Sequence, residues 1–203
     1  TKRGCHFKCV YCTYPHIDGR KLRLIDPEEI AAAACELQAN GAKYFFITDS
    51  VFNGDCTHSL AVAAAFKKSG LSIPWGAFFA PLKQPEDYFQ IMADAGLTHV
   101  EFGTDSLSNS VLASYRKPFR DHQVFRTHQA AIDAGLYVAH YFLLGGPGEN
   151  PQTLKETLAG VGNLKKSALF FFCGMRIYPD TELYDIAIKE GQIAEDRSLL
   201  EPV

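Results

Sequence analysis

Three cysteines near the start of the chain have the spacing that most directly indicates chemistry. Cys5, Cys9 and Cys12 follow one another as Cys-x3-Cys-x2-Cys. Thiolates are soft ligands that suit zinc, copper or iron–sulfur centres. A structural zinc site takes four ligands, and an electron-transfer cluster usually takes four thiolates. Three thiolates in one short loop would leave one iron of a four-iron cluster open to a ligand that is not protein.

Two histidines keep a zinc site open as an alternative. His6 lies beside the first cysteine of the loop, and His16 lies shortly after the third. Three thiolates and one imidazole would complete the four ligands that a structural zinc ion takes.

The other three cysteines are scattered along the chain. Cys35 lies in a helix-like run and Cys173 in a strand-like run, and we expect both to be small buried hydrophobic residues. Cys56 lies in a polar loop and has no predicted role. An extracellular disulfide framework needs paired cysteines in a loop-rich chain, whereas this chain is rich in regular patterns. We therefore predict a reducing compartment, the cytoplasm.

Strand-like and helix-like segments alternate along the chain, and these elements must position the cysteine loop. Predicted strands begin at residues 43, 73, 98, 137 and 168. Predicted helices cover about 27–40, 57–69, 85–95, 107–118 in part, 121–134, 151–166 and 181–190. Strands separated by helices require parallel βαβ crossovers. The alternation predicts an α/β fold: a partial (β/α)6 TIM-like barrel of parallel strands with outer helices. The first of its six strands is expected to precede Thr1, and a doubly wound sheet is the alternative.

The composition is that of one globular domain, covering residues 1–203. The chain is 47% hydrophobic and 21% charged, which excludes a disordered class. No apolar run approaches the ~20 residues that cross a bilayer. The formal charge of −3 argues against a nucleic-acid partner, although residues 1–23 are basic. Because the chain begins with Thr1 just before the cysteines, we expect it to be a piece of a longer protein.

Polar side chains cluster just past the predicted strand ends. Thr-Asp-Ser occurs at 48–50 and again at 104–106, and GGPGE lies at 145–149. Such residues favour turns anyway, but the carboxyl ends of parallel barrel strands share one mouth, where active sites lie. Because the clusters recur after every strand, we favour a shared site.

The cysteine loop TKRGCHFKCVYCTYP, residues 1–15, resembles the cluster-binding loop of the radical SAM superfamily, and Tyr11 directly before Cys12 is part of that pattern. The later segments TDSVF, EFGTDS, FLLGGPGE and IYPDTEL are similar to the strand-end motifs of that fold. The set most resembles the cobalamin-dependent class. In that class a cobalamin-binding domain usually precedes the loop, and here it would lie outside residues 1–203.

The resemblance implies a set of cofactors. Cys5, Cys9 and Cys12 would ligate a 4Fe–4S cluster, and S-adenosylmethionine would bind the remaining iron. One-electron reduction, by a donor such as flavodoxin or ferredoxin, would cleave S-adenosylmethionine to methionine and a 5′-deoxyadenosyl radical, which takes hydrogen from substrate. The cofactors carry this chemistry, while the protein orients them and excludes water. No side chain is predicted to be catalytic in itself.

The resemblance also implies contacts for S-adenosylmethionine. Thr48, Asp49 and Ser50, where many members have a glycine-rich motif, would contact the methionine amino group. Asp105 and Ser106 would contact the ribose, with Asp in place of the longer Glu that is common in the family. Lys117 would pair with the methionine carboxylate. Backbone and apolar contacts to adenine would come from Tyr11, Leu144, Gly145 and Ile177.

Several weaker candidates have structural explanations. We expect His140 to be a core histidine with satisfied hydrogen bonds, and Glu149 to serve equally as a helix cap. Trp75, Phe78 and Phe79 follow a strand pattern and are expected in the core, with one of them able to wall the cavity. Polar residues after the cluster loop would reach substrate; they are Tyr14, His16 and Arg20.

The leading hypothesis is a radical SAM enzyme acting on a small or lipid-like substrate, by methyl transfer or by rearrangement if cobalamin takes part. The second hypothesis is a radical SAM methylthiotransferase or a porphyrin oxidase. The non-enzyme alternative is a binding module stabilised by zinc or by an iron–sulfur cluster.

Overall fold

A five-stranded parallel sheet forms the centre of the protein, and a short antiparallel ribbon lies at its start. The computed structural model describes residues 1–194. The ribbon pairs β1 (Lys2–Arg3) with β2 (Arg23–Leu24). The sheet strands are β3 (Phe45–Ile47), β4 (Trp75–Phe79), β5 (Leu97–Asp105), β6 (Tyr137–Leu144) and β7 (Ser167–Cys173). All five predicted strands are confirmed, and the ribbon was not predicted.

The strands lie in the sheet in the order in which they occur in the chain, β3-β4-β5-β6-β7, and each neighbouring pair is parallel. A doubly wound sheet would reverse its strand order at a switch point. The sequential order of these five strands therefore rules out that alternative and is consistent with a partial TIM-like barrel.

Helices connect the strands, as the periodicity predicts. They are α1 (Tyr14–Ile17), α2 (Pro27–Ala39), α3 (Cys56–Lys68), α4 (Tyr88–Asp94), α5 (Asn109–Ser114), α6 (Asp121–Asp133), α7 (Pro151–Val161) and α8 (Glu182–Lys189). Asp26 caps α2 by accepting the N–H of Glu28 at 2.9 Å, with Pro27 in the first turn. Helix α7 ends five residues earlier than the predicted 166, because Gly160 and Gly162 are poor helix formers.

The two faces of the sheet have different environments. On β5, the alternate residues Val100, Phe102 and Thr104 are fully buried against the helices. The residues between them point to the opposite side. We call that side the open face, and its members include Phe46, Phe78, His99, Glu101, Gly103, Tyr141, Phe170 and Phe172. The main core therefore lies between the sheet and α2, α3, α4 and α6.

Two of the scattered cysteines are less buried than predicted. Cys173 is exposed and Cys35 is half-buried, so the prediction of two buried hydrophobic cysteines is wrong. Cys173 ends β7, which lies at the edge of the described sheet, where fewer neighbours cover a strand. Within residues 1–194, no helix has the length and apolar character needed to cross a membrane.

Candidate active site

The cysteine loop is held at both ends by backbone contacts to distant elements. Gly4 has a φ of +89°, and a Cβ there would lie 2.3 Å from the carbonyl oxygen of Lys21, so only glycine fits directly before Cys5. The Cys5 N–H donates to the Gly19 oxygen at 3.0 Å. These contacts dock the start of the loop on the segment between α1 and β2.

The middle of the loop is anchored by Val10. Its N–H donates to the Tyr115 oxygen at 3.3 Å, and its own carbonyl accepts the N–H of Leu183 at 2.9 Å. Tyr115 follows α5 and Leu183 lies in α8. Neither residue was predicted to belong to the site, because a contact through the backbone leaves no side-chain signal in the sequence.

The three loop thiols are free of disulfides. Cys5 is buried, whereas Cys9 and Cys12 are partly accessible. Burial raises the pKa of Cys9, and the nearby Lys117 opposes the rise. Burial likewise raises the pKa of Cys12, against a hydrogen bond from the backbone of Tyr14. Burial thus favours the protonated form of both thiols, and the positive charge or dipole beside each sulfur reduces that shift.

The donor set does not suit a single metal ion. Among residues 1–194, no three side chains of His, Cys, Asp or Glu stand close enough together to hold one metal ion. Three thiols on one loop without a fourth protein ligand fit a multinuclear cluster better than the predicted zinc alternative.

A cavity of about 410 Å³ opens beside Cys9 and Cys12. Cationic and anionic side chains both line it: Lys8, His16, Arg20, Arg116, Asp180 and Glu182. Arg116 Nη2 pairs with Glu182 Oε1 at 2.6 Å. His16 and Arg20 therefore lie beside the loop thiols, where the sequence placed them; whether they reach substrate stays a prediction.

Three predicted site residues from distant parts of the chain meet next to Cys9. Lys117 Nζ lies 2.8 Å from Asp105 Oδ2 and donates to the Tyr11 hydroxyl oxygen at 3.2 Å. The Tyr11 hydroxyl donates to the same Asp105 oxygen. We call Tyr11, Asp105 and Lys117 the buried trio. It joins the cysteine loop, the end of β5 and the segment after α5.

Electrostatics hold the buried trio in its charged form. Burial lowers the pKa of Lys117, but attraction to Asp105, Tyr11 and Cys9 together outweighs it and leaves that pKa well above the ordinary value. Burial and the charge of Asp105 raise the pKa of Tyr11, so its hydroxyl keeps the proton that it donates. The predicted roles of Asp105 at the ribose and Lys117 at the carboxylate stay predictions. Each would require the ligand to replace a contact within the trio.

The backbone at Asp105 explains the direction of its side chain. Asp105 has a φ of +62°, and the register between β5 and β6 shifts between Gly103 and Asp105. An irregularity of this kind re-aims a side chain at a strand end. Ser106, the other predicted ribose contact, is fully buried and its hydroxyl lies 2.9 Å from that of Thr157. Ser106 thus links the strand end to α7.

The Thr-Asp-Ser segment after β3 also lies near the start of the loop. Asp49 is buried, and Lys2 Nζ donates to its carboxylate at 2.9 Å. Burial raises the pKa of Asp49, but Lys2 and Thr1 together outweigh this and lower it overall. Ser50 donates to the Gly4 oxygen at 3.3 Å, whereas Thr48 is exposed. Lys2 has no sequence signal, and contact of this segment with a methionine amino group stays a prediction.

Two of the predicted adenine residues line a second cavity of about 450 Å³, formed by the loop after β6 and by α8. They are Gly145 and Ile177. The Gly145 N–H donates to the Glu149 carboxylate, while Asn150 caps α7, so the prediction that Glu149 caps the helix is wrong. The Leu144 carbonyl accepts the Gly174 N–H at 2.8 Å.

The weaker candidates fall where their patterns indicate. His140 is fully buried on the helix side, with Nδ1 2.7 Å from the Thr104 hydroxyl and Nε2 3.0 Å from His128 Nδ1, so the prediction of a satisfied core histidine is confirmed. Trp75 and Phe79 are core residues, whereas Phe78 is 39% exposed on the open face.

The comparisons with known proteins agree with this geometry. Residues 1–159 match the sequence profile of the radical SAM superfamily. The chain is 27% identical over 209 residues to a cytidylyl-2-hydroxyethylphosphonate methyltransferase from Streptomyces wedmorensis; the match covers 98% of this chain and 39% of that protein. The chain thus spans about two fifths of the length of this relative.

Two solved structures share the fold. One is the radical S-adenosylmethionine methyltransferase TsrM from Kitasatospora setae with cobalamin and a 4Fe–4S cluster bound. The two chains are 20% identical with a TM-score of 0.87, and the match covers 94% of this chain and 36% of that one. The other is the cobalamin-dependent S-adenosylmethionine radical enzyme OxsB with aqua-cobalamin bound, with a TM-score of 0.71, 17% identity, and coverage of 95% and 29%.

Proposed function

Because the chain belongs to the radical SAM superfamily, whose enzymes use a 4Fe–4S cluster and S-adenosylmethionine, we propose that Cys5, Cys9 and Cys12 hold that cluster in an enzyme core. The observation that carries the proposal is the meeting of a three-thiol loop and the buried trio at the carboxyl end of β5. When both cofactors are bound, they supply one-electron reductive cleavage of the sulfonium.

The chain's own residues orient and shield the reacting groups. Val10 locks the loop between α5 and α8 through two backbone hydrogen bonds. The buried trio presents a tyrosine ring and an internally neutralised charge pair beside Cys9, and Lys117 Nζ lies 5.7 Å from the centre of the Tyr11 ring. A rigid, dry wall of this kind keeps water from reactive intermediates.

Methyl transfer is the reaction class that we propose for the whole protein. It is supported by the methyltransferase from Streptomyces wedmorensis and by the fold shared with TsrM. The substrate would be small or lipid-like, and cobalamin would be held outside residues 1–203. The six unpaired cysteines support a reducing compartment such as the cytoplasm.

The test is anaerobic reconstitution of the protein with iron and sulfide, followed by reduction with dithionite in the presence of S-adenosylmethionine. We expect about four irons and four sulfides per chain and the formation of 5′-deoxyadenosine. Cys9→Ala should lose most of the iron and all of the nucleoside, because only two ligands of the cluster remain.

The matched control is Cys35→Ala, which removes a half-buried thiol on α2 and should leave iron content and nucleoside formation unchanged. Nucleoside formation at the wild-type level in Cys9→Ala would contradict the ligand assignment. One zinc and no sulfide in the wild type would instead support the binding module. S-adenosylmethionine with a labelled methyl group separates the enzyme classes, since a methylthiotransferase adds sulfur together with the label.

A further inference from the structure

The open face carries a second group of titratable side chains, away from the cysteine loop. The Tyr141 hydroxyl donates to Glu101 Oε2 at 2.8 Å, and the Tyr44 hydroxyl lies 3.0 Å from His99 Nε2. His99 Nε2 is 3.7 Å from Glu101 Oε1, which is too far for a hydrogen bond. Among the side chains of residues 1–194, none donates a hydrogen bond to Glu101 Oε1, and with the side chain 20% exposed this oxygen is accessible to a ligand.

Small residues leave room around Glu101. In the sheet register Glu101 lies between Phe78 on β4 and Ala139 on β6, and Ala139 lies beside Ala168 on β7. A Cβ added at Gly103, the next open-face position, would meet no atom within 4 Å. We call the stretch of the open face from Glu101 along β5 toward Asp105, with small residues at Gly103, Ala139 and Ala168, the recess.

Aromatic rings form the two sides of this recess. Phe78 packs edge-on against Phe46 at a centroid distance of 4.8 Å. On the other side Tyr141 stacks on Phe170 at 5.0 Å and on Phe172 at 6.1 Å. Phe170 and Phe172 are 45% and 51% exposed. Accessible rings of this kind take a planar or apolar body by stacking and edge contacts.

The negative charge of Glu101 determines which polar group of such a ligand would bind here. Lys117, the buried cation at the end of the recess, is already paired with Asp105, and the contact of Glu101 with His99 is long. A carboxylate oxygen left without a donor binds a cationic nitrogen more strongly than a neutral group. The surrounding ring faces attract cations as well.

We propose that Glu101 anchors the substrate, which is a molecule with a planar, unsaturated body and a cationic nitrogen. The inference rests on the proposed function, because the recess leads along β5 to the buried trio. Four residues separate Glu101 from Asp105, about 13 Å of strand, so a ligand held at Glu101 extends toward the cysteine loop.

The test compares two probes of similar size and opposite charge, 2-phenylethylamine and 3-phenylpropanoate, by saturation-transfer NMR titration. We expect the wild type to bind the amine at least about fivefold more tightly than the acid. Glu101→Gln should abolish the preference. Glu36→Gln, which removes an exposed carboxylate on α2, should retain it.

A second variant keeps the test decisive if Glu101→Gln does not fold. Phe170→Ala should weaken both probes while preserving the preference for the amine. Equal binding of the probes by the wild type, or a preference that survives in folded Glu101→Gln, overturns the inference. Cleavage of S-adenosylmethionine by the wild type without an amine preference rejects only this inference, whereas an amine preference without cleavage rejects only the proposed function.

Discussion

At the scale of single residues, Lys117 contributes most to the candidate site, because it is a buried cation with two partners. Its side chain is 8% exposed, and that of Asp105 is 4% exposed. Breaking a buried ion pair from one side leaves an uncompensated charge away from water. Replacing both partners of the pair lowers the free energy of unfolding far less, because no buried charge remains.

Lys117→Met should lower the free energy of unfolding of the cofactor-free protein by about 3 kcal/mol or more. The double variant Lys117→Met/Asp105→Asn should recover part of that loss, since asparagine tolerates the positive φ of this position. Urea denaturation followed by circular dichroism measures both.

The control for this prediction is the neighbouring exposed pair of Arg116 and Glu182. Arg116→Gln should cost less than about 1 kcal/mol, as exposed ion pairs do. If Lys117→Met lowered the free energy of unfolding no more than Arg116→Gln does, the assignment of a buried ion pair to the trio would be wrong.

At the scale of elements, the choice of residue at Gly76 in β4 is restricted by side chains of neighbouring segments that pack over it. A Cβ at Gly76 would lie 2.4 Å from His99 Cε1 and 2.5 Å from the Tyr44 hydroxyl oxygen. The stacked Tyr44 and His99 rings, with centroids 5.5 Å apart, therefore lie directly over Gly76. Glycine at this position lets β3 and β5 bring these two side chains together across the strand between them.

Gly76→Ala should destabilise the fold by about 1–3 kcal/mol, because the new methyl group displaces His99 or Tyr44. Gly103→Ala is the matched control on the neighbouring strand, where the space is open; there alanine should be neutral or stabilising by up to about 1 kcal/mol. Thermal denaturation ranks the two variants. An equal loss in both would show that the rings do not occupy the space over Gly76.

At the scale of the whole molecule, the sheet separates a helix side that holds the main core from the more accessible open face. On the helix side, the chain Thr104–His140–His128 satisfies three buried polar side chains internally. Burial, with a smaller contribution from the charge of His128, lowers the pKa of His140 to about 3. A histidine that must stay neutral makes the folded state sensitive to acid.

The free energy of unfolding should fall as the pH drops from about 6.5 toward 3. In that interval the unfolded chain binds a proton at His140 that the folded chain excludes, and the loss approaches about 1.4 kcal/mol per pH unit. Above about pH 6.5 this contribution is constant. Urea titrations at several pH values measure the slope.

The variant His140→Phe should flatten this slope, whatever its effect on stability at neutral pH. His16→Gln, which removes an exposed histidine, should leave the slope unchanged. A slope unaffected by His140→Phe would assign the acid sensitivity to other groups.

Local patterns by themselves determined the strand and helix alternation, the caps of α2 and the cysteine loop. Each of these depends on spacing or on residue type within a few positions: period-two runs make strands, Asp26-Pro27 begins a helix, and three close thiols indicate a metal centre. The exposed edge position of Cys173 and the end of α7 at Val161 depend on neighbours or on a balance of weak propensities, and there local prediction failed.

Only the tertiary structure decided which charges meet. Tyr11, Asp105 and Lys117 are separated by up to 106 positions in the chain, and their pairing depends on strand order and on the bulge at the end of β5. The lack of a donor to Glu101 Oε1 likewise depends on the register of β5 against β6. Pairing between distant side chains follows from three-dimensional packing, because ion pairs and hydrogen bonds act over a few ångströms of space and carry no trace in sequence spacing.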